Sequence, residues 1–390
     1  MFGRTYQQKG TLILEDGAEF EGVINGDGRD GGGLIDSGVV EGEVVFTTGM
    51  TGYPQALTDP SFRGQILVST YPLIGNYGVP LRKGGIMDAD VYGIPIHFES
   101  GKIQVAGFVV SEVCEEPSHY SSGISLPLWL RDNGVPLLSG IDTRALTKRL
   151  RERGVMRGRI IVDSRLPETG KKLPSTHYPL PTHLVASVSR KEVKRYAPAD
   201  GGSPRIVLID CGAKANILRC LLSRGAEVIS VPWDYDLSTL EYDGLFLSNG
   251  PGDPKSCGKT IAQLRKAFTK DKPIFGICLG VQLMALAAGA DTYKLPYGHR
   301  SANQPCIETL PDGSKGRCYI TSQNHGYAVR AETLPHDWEV WFTNVNDGTV
   351  EGIRSKTAPW SAVQFHPEGC PGPRDTEFLI DRFLETVRKK

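Results

Sequence analysis

The second half of the chain alternates continuous apolar runs with segments in which apolar residues recur every three or four positions. Continuous runs are typical of parallel strands covered on both faces, and the longer spacing is typical of helices. The predicted strands span 205–210, 227–231, 245–248, 273–277 and 360–365, and the predicted helices span 215–223, 260–270, 279–288 and 376–388. This alternation predicts a doubly wound α/β domain with a mixed or parallel sheet, whose ligand site lies beyond the carboxyl ends of the strands.

The first half of the chain has the pattern of short strands and turns with few helices. Residues 12–14 and 18–24 flank an Asp16-Gly17 pair, which supplies the positive φ angles of a tight hairpin turn. A helix is predicted over 142–153, because Asp is a favourable N-cap and leucines follow at a spacing of four. We therefore expect an N-terminal mixed α/β domain that is rich in short strands.

A proline-rich segment separates these two patterns. Prolines recur among polar and basic residues between Lys171 and Pro204, which is typical of a segment that joins two domains. We therefore predict one domain over residues 1–195 and a second domain over residues 204–390.

Composition narrows the class of protein. The 44 basic residues balance the 44 acidic residues, so no net field favours binding to nucleic acid or to an anionic membrane surface. The eight cysteines include no C-x-x-C pair, which argues against a disulfide framework or a zinc ribbon, and we expect no metal site. The first residues lack the apolar segment of a secretion signal, so a soluble, cytoplasmic protein is expected.

Two nucleotide-binding motifs are present only in part. Residues 26–31 match G-x-G-x-x-G, but the residues that follow are poor at opening the helix on which pyrophosphate would bind. Residues 258–260 (Gly-Lys-Thr) end like a phosphate-binding loop, but position 253, where the motif requires glycine, is Asp. We therefore expect a flexible loop at 26–31 and no ATP or other cofactor bound by this chain.

A candidate nucleophile lies where a buried strand meets a helix, in residues 276–280 (Gly-Ile-Cys-Leu-Gly). A sharp turn there pushes the Cys278 side chain out of the end of the sheet, and the flanking glycines let the backbone take strained angles. The N-terminus of the following helix places partial positive charge beside the sulfur and favours the reactive thiolate. The structural alternative is a buried, unreactive cysteine, which is the commoner situation for a free cysteine.

A candidate base follows the last predicted strand. Residues two apart in an extended segment point the same way, and Pro367 keeps the backbone extended, so Glu368 is able to hydrogen-bond the imidazole of His366. His366 is expected at the same sheet edge as Cys278, which gives a nucleophile, a base and an orienting carboxylate. Taken alone, His-Pro-Glu at a strand end is more often a simple turn.

A third segment, residues 248–254 (Ser-Asn-Gly-Pro-Gly-Asp-Pro), also follows a predicted strand. The backbone N–H groups of Gly250 and Gly252, together with that of Leu279, are suited to stabilise a developing oxyanion. The structural alternative is a tight Gly-Pro turn. Because three such elements at three strand ends rarely coincide by chance, together they favour an active site.

These three motifs resemble those of the class I, or triad, glutamine amidotransferases. Further segments resemble the small, glutamine-hydrolysing subunits of carbamoyl-phosphate synthases, and this resemblance spans nearly the whole chain. Those segments are 50–53 (Met-Thr-Gly-Tyr), 57–61 (Leu-Thr-Asp-Pro-Ser), 72–78 (Pro-Leu-Ile-Gly-Asn-Tyr-Gly), 140–144 (Gly-Ile-Asp-Thr-Arg) and 321–327 (Thr-Ser-Gln-Asn-His-Gly-Tyr). The segments of the first half carry the narrower identification, because all triad amidotransferases share the cysteine and His-Pro-Glu motifs.

The resemblance implies a mechanism. Cys278 attacks the side-chain amide of glutamine, while His366 takes the thiol proton and later protonates the departing ammonia, and Glu368 orients His366. The expected oxyanion donors are the N–H groups of Leu279 and of Gly250 or Gly252. The residues that correspond to the glutamine-binding groups of the family are Gln282, Asn324, Gly326 and Tyr327.

The resemblance also implies a partner. Ammonia would pass by a sheltered route to a large synthetase subunit, which binds ATP and Mg²⁺ and makes carbamoyl phosphate from bicarbonate for arginine or pyrimidine biosynthesis. Because the chain ends at Lys390, soon after its last predicted helix, we expect the synthetase to be a separate polypeptide in a heterodimer or a higher assembly. The N-terminal domain is expected to dock this partner.

Two alternatives stay open from the residues alone. The same chemistry could serve another synthetase, such as one that makes anthranilate or guanylate, although the first domain has no role there. A non-catalytic regulatory or scaffold subunit could retain the fold, although Cys278, His366 and Glu368 are all intact.

Two positions depart from the pattern of the family. Val281 stands where the family usually has His, and we expect altered packing rather than lost activity, because that residue is not the general base. Gly49 stands where many relatives carry a Ser that contacts glutamine, so this side-chain contact is absent. His325 is a rival base, ranked second because no acidic residue lies two or three positions away to orient it.

Overall fold

The computed structural model describes residues 7–25, 39–82, 85–162, 183–198, 201 and 203–390. The chain divides into two compact units, of which unit 1 comprises Met1–Asp90 and Pro95–Thr182, and unit 2 comprises Val91–Ile94 and His183–Lys390. The segment 26–31, which we expected to be a flexible loop, lies outside the described residues. None of the helices in the described ranges is long and apolar enough to cross a lipid bilayer.

Unit 1 is built from short strands around a barrel. Its strands are β1 (Gln7–Leu14), β2 (Glu19–Asn25), β3 (Val39–Thr47), β4 (Gln65–Ser69), β5 (Leu73–Ile74), β6 (Leu81–Arg82), β7 (Ile86–Met87), β8 (Gly107–Val109), β9 (Glu112–Val113), β10 (Leu137–Ser139) and β11 (Met156–Val162). Its helices are α1 (Tyr53–Thr58), α2 (Leu126–Asp132) and α3 (Thr143–Arg153), with a 3₁₀ turn at Pro60–Phe62. The barrel closes in the order β1-β11-β3-β4-β8-β10-β2, which confirms the expected mixed α/β unit.

Local sequence signals explain two elements of unit 1. β1 and β2 pair antiparallel across the Asp16-Gly17 turn, where Gly17 has a φ of 83°. Helix α3 begins after Asp142, whose carboxylate accepts a hydrogen bond of 2.8 Å from the N–H of Ala145, and it ends at Gly154. The predicted hairpin and the predicted helix are both confirmed.

Unit 2 is built on a single ten-stranded sheet. Its strands are β12 (Lys194–Tyr196), β13 (Arg205–Asp210), β14 (Glu227–Pro232), β15 (Gly244–Leu247), β16 (Ile274–Ile277), β17 (Thr292–Thr309), β18 (Lys315–Val329), β19 (Trp338–Asn344), β20 (Val350–Ser355) and β21 (Trp360–Val363). Its helices are α4 (Leu184–Val188), α5 (Ala215–Leu222), α6 (Gly258–Ala267), α7 (Leu279–Ala288) and α8 (Phe378–Arg388), with 3₁₀ turns at Leu237–Thr239, Pro254–Ser256 and Ala331–Thr333.

The strand order β12-β14-β13-β15-β16-β21-β20-β19-β17-β18 gives this sheet two different halves. Strands β14, β13, β15, β16 and β21 run parallel to one another. Helices α5 and α8 pack on one face of these strands, and α6 and α7 pack on the other face. The predicted doubly wound α/β architecture with a mixed sheet is therefore confirmed.

The other half of the sheet is antiparallel and extends from β21 through β20, β19, β17 and β18. β17 and β18 form a long hairpin whose register shifts at three places, which marks bulges or irregular pairing. The sequence pattern predicted no element between residues 289 and 359. Bulges break the two-residue alternation on which strand prediction depends, so this half of the sheet gave no clear periodic signal.

The boundary between the units falls earlier than the sequence indicates. We predicted a first domain over 1–195, but residues from His183 onward cluster with unit 2. Strand β12 pairs antiparallel with β14 at the edge of the ten-stranded sheet, and Val185 of α4 is buried in the core of that unit. These contacts bind 183–195 to unit 2, although the segment follows a proline-rich stretch.

Candidate active site

Cys278 occupies a strained turn between β16 and α7. Its φ is 55° and its ψ is −105°, a backbone conformation that residues with a Cβ rarely adopt. The N–H of Cys278 donates a 2.8 Å hydrogen bond to the carbonyl of Val363, so the residue is also tied to the neighbouring strand β21. The backbone therefore holds the sulfur at the carboxyl edge of the parallel strands, as predicted from the flanking glycines.

The two glycines that flank this turn are required by close packing. A Cβ at Gly276 would lie 2.9 Å from the carbonyl carbon of Gly280, and a Cβ at Gly280 would lie 2.8 Å from the carbonyl oxygen of Leu247. Both separations are too short for a real carbon contact. The glycines therefore let strand β15, strand β16 and the first turn of α7 approach closely enough to form the turn.

His366 and Glu368 follow strand β21, which is the parallel neighbour of β16. The N–H of His366 donates a 2.8 Å hydrogen bond to the carbonyl of Ser322, which fixes its backbone against β18. Its Nδ1 atom lies 2.7 Å from Oε1 of Glu368, and both side chains are almost fully buried. The structure thus brings together the predicted base and the predicted orienting carboxylate at the sheet edge that carries Cys278.

Lys214 joins this group, although no sequence motif singled it out. Its side chain is 3% exposed, and its Nζ atom lies 3.2 Å from Oε1 of Glu368 and 2.6 Å from the carbonyl oxygen of Gly369. The amide of Asn216 donates a hydrogen bond to the backbone carbonyl of Glu368. Both residues follow the parallel strand β13. They could have been predicted from the rule that ligand sites lie beyond the carboxyl ends of parallel strands.

The charges of these side chains determine which groups are ionised. Burial raises the pKa of Glu368, but Lys214 and His366 outweigh it and hold that pKa at about 2. Burial likewise opposes a charge on His366, but the adjacent Glu368 carboxylate raises the pKa of the imidazole to about 10. Glu368 is therefore a carboxylate, and His366 is a strong proton acceptor.

The remaining nitrogen of His366 is available for chemistry. Nε2 is buried and makes no hydrogen bond of normal geometry within the described residues, while the Cys278 thiol is close enough to contribute to the raised pKa of His366. The Cys278 Sγ lies 3.5 Å from the backbone carbonyl oxygen of Asn324. Nucleophile and base thus lie side by side at the buried edge of the sheet, next to β18.

The predicted oxyanion donors lie on two loops that touch. A Cβ at Gly250 would meet the Leu279 side chain at 2.8 Å and the Cys211 carbonyl oxygen at 2.2 Å, so only glycine fits beside the nucleophile turn. Gly252 has a φ of 89° and faces the side chain of Leu184 instead. Leu279 is the first residue of α7, where backbone N–H groups have no partner within the helix.

The residues predicted to bind glutamine are on α7 and β18. The buried amide of Gln282 donates hydrogen bonds of 2.9 Å to the carbonyl of Tyr327 and 3.0 Å to Oε1 of Gln364. Asn324 contributes the carbonyl beside Cys278, and Gly326 leaves room for the Arg300 side chain, which would lie 3.2 Å from a Cβ there. The structure therefore places Asn324 beside the nucleophile and joins Gln282 to Tyr327.

His325, the rival base, is held away from the sulfur. Its Nδ1 lies 2.8 Å from the Tyr327 carbonyl oxygen, and its Nε2 lies 3.0 Å from Oε1 of Gln323. No acidic residue lies two or three positions away, as the sequence shows, but Glu351 of strand β20 approaches Nε2 to 3.9 Å. Burial, reinforced by His299, nevertheless lowers the pKa of His325 well below its usual range, so His325 is a weak base.

The two departures from the family pattern are placed without strain. Val281 is 1% exposed and packs in the core between α7 and the sheet. Gly49 belongs to unit 1, and a Cβ there would have its nearest contact at 3.5 Å, from Oγ1 of Thr47. Neither position is part of the Cys278, His366 and Glu368 arrangement.

Two family profiles match the chain. The profile described as "Glutamine amidotransferase class-I" matches residues 207–386, and the profile described as "Carbamoyl-phosphate synthase small chain, CPSase domain" matches residues 12–160. The first match covers most of the sheet of unit 2, without β12, and includes the cysteine turn and the His-Pro-Glu segment. The second match covers most of the barrel of unit 1, without the first residues of β1 and the last residues of β11.

Relatives of known name align over nearly the entire chain. The arginine-specific small chain of carbamoyl phosphate synthase from Aspergillus oryzae is 46% identical, and the alignment covers 99% of this chain and 82% of that protein. The multifunctional proteins pyr-3 of Neurospora crassa and CAD of Squalus acanthias are 48% and 49% identical over 97% of this chain, which corresponds to only 21% and 16% of their own length. The chain thus spans about a fifth or less of those multifunctional relatives, and it belongs to the carbamoyl phosphate synthase small chain family, with a class I glutamine amidotransferase domain as unit 2.

Proposed function

We propose that this chain is the glutamine-hydrolysing component of a carbamoyl-phosphate synthase. The observation that carries the proposal is the strained Cys278 turn at the end of β16, beside the strand that ends in His366 and its carboxylate partner Glu368. A buried structural cysteine has no need of a positive φ, which costs free energy. The strain of the turn therefore favours a cysteine that is presented to a substrate.

The chemistry follows from the positions of these groups. The Cys278 thiol gives up its proton to His366, which holds it as an imidazolium because its pKa is raised, and the sulfur attacks the amide carbon of glutamine. The imidazolium then protonates the leaving nitrogen, and ammonia departs to leave a thioester. Water, deprotonated by His366, releases glutamate from the thioester. Glu368 holds the imidazole in orientation and stabilises its charge, and Lys214 keeps Glu368 ionised.

The loops beside Cys278 are suited to bind the substrate. The N–H groups of Leu279 and of Gly250 or Gly252 stabilise the oxyanion of the tetrahedral intermediate, because donors fixed in place before the reaction need no reorganisation. Gln282, Asn324, Gly326 and Tyr327 bind the backbone amino and carboxylate groups of glutamine. Support for this assignment is that the Asn324 carbonyl lies beside the Cys278 sulfur and that Gln282 donates a hydrogen bond to Tyr327 of β18.

The ammonia is consumed by a large synthetase partner. That partner carries ATP and Mg²⁺ and makes carbamoyl phosphate from bicarbonate, while this chain binds no nucleotide of its own. The barrel of unit 1 docks the partner, and the complex works in the cytoplasm for arginine or pyrimidine biosynthesis. Relatives whose names include arginine-specific small chains and larger multifunctional proteins support both pathway assignments equally.

The proposal is tested by coupled synthesis. The chain is purified with a candidate large subunit and supplied with glutamine, bicarbonate and ATP, and carbamoyl phosphate is measured. Cys278→Ala is expected to reduce glutamine-dependent synthesis to background and to leave synthesis from added ammonium salt intact, because only the amide-cleaving step needs the sulfur. Cys257→Ala is the matched control, since Cys257 is also buried but lies at the start of α6, outside the proposed site.

Each outcome decides between the alternatives. If Cys278→Ala retains glutamine-dependent synthesis, the proposed mechanism is wrong. If the wild-type chain hydrolyses no glutamine with its partner bound, the chain is a non-catalytic scaffold. If it hydrolyses glutamine but transfers ammonia only to a synthetase that makes anthranilate or guanylate, the chemistry holds and the proposed partner is wrong.

A further inference from the structure

A second buried polar cluster, which the proposed mechanism does not use, lies in the antiparallel half of the sheet. It consists of His299 on β17, His325 on β18 and Glu351 on β20, and a nitrogen or oxygen atom of each lies within 4.8 Å of the others. His299 and His325 are direct cross-strand partners, and all three side chains are buried. Buried groups of this kind require partners, because an unpaired polar atom away from water is costly.

The hydrogen bonds of His325 leave one nitrogen without a proton. Nδ1 lies 2.8 Å from the carbonyl oxygen of Tyr327, which only accepts, so Nδ1 carries the hydrogen of the neutral ring. Nε2 then presents a lone pair. The atoms that it faces are Oε1 of Gln323 at 3.0 Å and Oε1 of Glu351 at 3.9 Å, which are both acceptors as well. Three acceptors facing one another repel unless a proton or a metal ion lies between them.

His299 also donates a hydrogen bond from one ring nitrogen and directs the other toward the cluster, but the roles of Nδ1 and Nε2 are exchanged. Nε2 lies 2.8 Å from Oδ2 of Asp347, so it donates to that carboxylate. Burial opposes a charge on His299, but Glu351 and Asp347 outweigh it and raise its pKa, so Nδ1 presents a lone pair once a metal displaces its proton. Nδ1 faces Oε1 of Gln323 at 2.9 Å and Oε1 of Glu351 at 3.2 Å. A histidine that donates one N–H to a carboxylate or a backbone carbonyl while its other nitrogen faces a shared point is the arrangement found around protein-bound metals.

We propose that this cluster is a metal site, in which Nδ1 of His299, Nε2 of His325 and Oε1 of Glu351 bind one divalent first-row metal ion, best matched by Zn²⁺. Oε1 of Gln323 supplies the fourth ligand atom. In a tetrahedral site with bonds of about 2.0 Å, neighbouring ligand atoms lie about 3.3 Å apart. The four measured separations between these atoms, from 2.9 to 3.9 Å, bracket that value.

Charge and burial support a cation here. Glu351 and Asp347 bring two carboxylates, which a divalent ion neutralises, and the second oxygen of Glu351 is buried without a hydrogen-bond partner among the described residues. Oε1 of Glu351 already accepts long hydrogen bonds from Asn344 and Thr349, which orient it. Because protein atoms fill all four positions, the site is closed, as structural zinc sites are, whereas a catalytic site keeps one position open.

Such an ion would link strands β17, β18 and β20 near the nucleophile. His325 adjoins Asn324, whose carbonyl oxygen lies 3.5 Å from the Cys278 sulfur. The metal would therefore hold the segment of β18 that borders the proposed active site. The site itself does not depend on the proposed glutamine chemistry, because its ligands and its test are separate from catalysis.

The test is the metal content of the full chain. Wild-type protein is loaded with Zn²⁺, passed through gel filtration in metal-free buffer and measured by plasma mass spectrometry, with stoichiometric zinc expected. Glu351→Gln, which preserves shape, is expected to remove bound zinc. Asp347→Asn, which alters only the orienting partner of His299, is expected to weaken zinc affinity by about 10–100-fold. His336→Ala, at an exposed histidine on the same unit, is the control and is expected to retain zinc.

A second measurement needs no variant. Wild-type chain stripped of metal and titrated with Co²⁺ is expected to develop the visible absorption of a tetrahedral site and to melt at a higher temperature. If wild-type protein holds no zinc and Co²⁺ gives no such absorption, the proposal is overturned. In that case the oxygen and nitrogen of the Gln323 side-chain amide exchange places, so that its NH₂ group donates to the two histidines. The cluster is then a network of hydrogen bonds without a metal.

Discussion

Unit 2 contains two buried groups in which histidine meets a carboxylate, and they differ in what surrounds the imidazole. The first consists of His366 and Glu368 at the end of the parallel strand β21, with Lys214 beside the carboxylate and Cys278 beside the ring. The second consists of His299, His325 and Glu351 in the antiparallel half, where hydrogen-bond acceptors face one another. The pair "histidine and carboxylate" therefore does not by itself identify a catalytic base.

The difference is expressed in the pKa values of His366 and His325. Although burial opposes the imidazolium, Glu368 raises the pKa of His366, which makes His366 a strong proton acceptor. Burial, together with His299, lowers the pKa of His325, so that ring stays neutral and offers a lone pair. A proton acceptor beside a sulfur suits acid-base chemistry, and a neutral ring suits metal binding.

The largest expected effect separates the two groups by activity. His366→Asn is expected to lower kcat for glutamine hydrolysis by about 10²–10⁴-fold, because a general base contributes that much. His325→Asn is expected to change kcat far less and to act mainly on KM for glutamine. His325 adjoins Asn324, but its hydrogen bonds go to Tyr327 and Gln323 and not to the sulfur of Cys278. Glutamate release is measured with the partner present, and circular dichroism confirms folding. Equal losses of kcat in the two variants would remove the distinction.

The parallel half of unit 2 was the part of the fold that the sequence predicted best. Continuous apolar strands are separated by helices with clear periodicity, and the glycines around Cys278 mark a sharp turn between a strand and a helix. The local spacing of His366 and Glu368 was enough to predict their hydrogen bond, because two-residue spacing in extended backbone sets the direction of both side chains.

The other contacts of the two sites could not be predicted from sequence, because they join strands that are distant along the chain. Lys214 reaches Glu368 across more than one strand of the sheet, and no spacing in the sequence encodes this contact. Glu351 approaches His325 only because β17, β18 and β20 adopt a register that shifts at bulges. A bulge moves every later side chain by one position relative to its partner, so register cannot be read from composition or alternation.

The next effect concerns how much each of the two carboxylates contributes to the stability of the folded protein. Glu368→Gln leaves the buried Lys214 ammonium without its charged partner, and removal of one member of a buried pair costs about 3–5 kcal/mol. Glu351→Gln in metal-free buffer is expected to cost less, about 1–3 kcal/mol, because burial already raises the pKa of Glu351 and a Gln oxygen still accepts hydrogen bonds. Chemical denaturation measures both free energies of unfolding.

A double variant provides the control for this comparison. Glu368→Gln combined with Lys214→Met removes both charges and is expected to be more stable than Glu368→Gln alone. If Glu351→Gln proved as costly as Glu368→Gln, or if the double variant showed no recovery, the ion pair would not be the source of the difference.

The last expected effect is a pH dependence that belongs to the first group. The folded-state pKa of His366 is raised to about 10, above its unfolded value of about 6.5, so its stabilising contribution is fully present below pH 6.5 and is lost as pH rises through 10. The difference in the free energy of unfolding between wild type and His366→Asn should therefore shrink between pH 6.5 and 10, by no more than about 1.4 kcal/mol per pH unit for a single proton. The exposed variant His336→Ala should show no comparable slope. A flat difference for His366→Asn would mean that His366 does not bind its proton more tightly when folded, and its description as a strong acceptor held by Glu368 would fail.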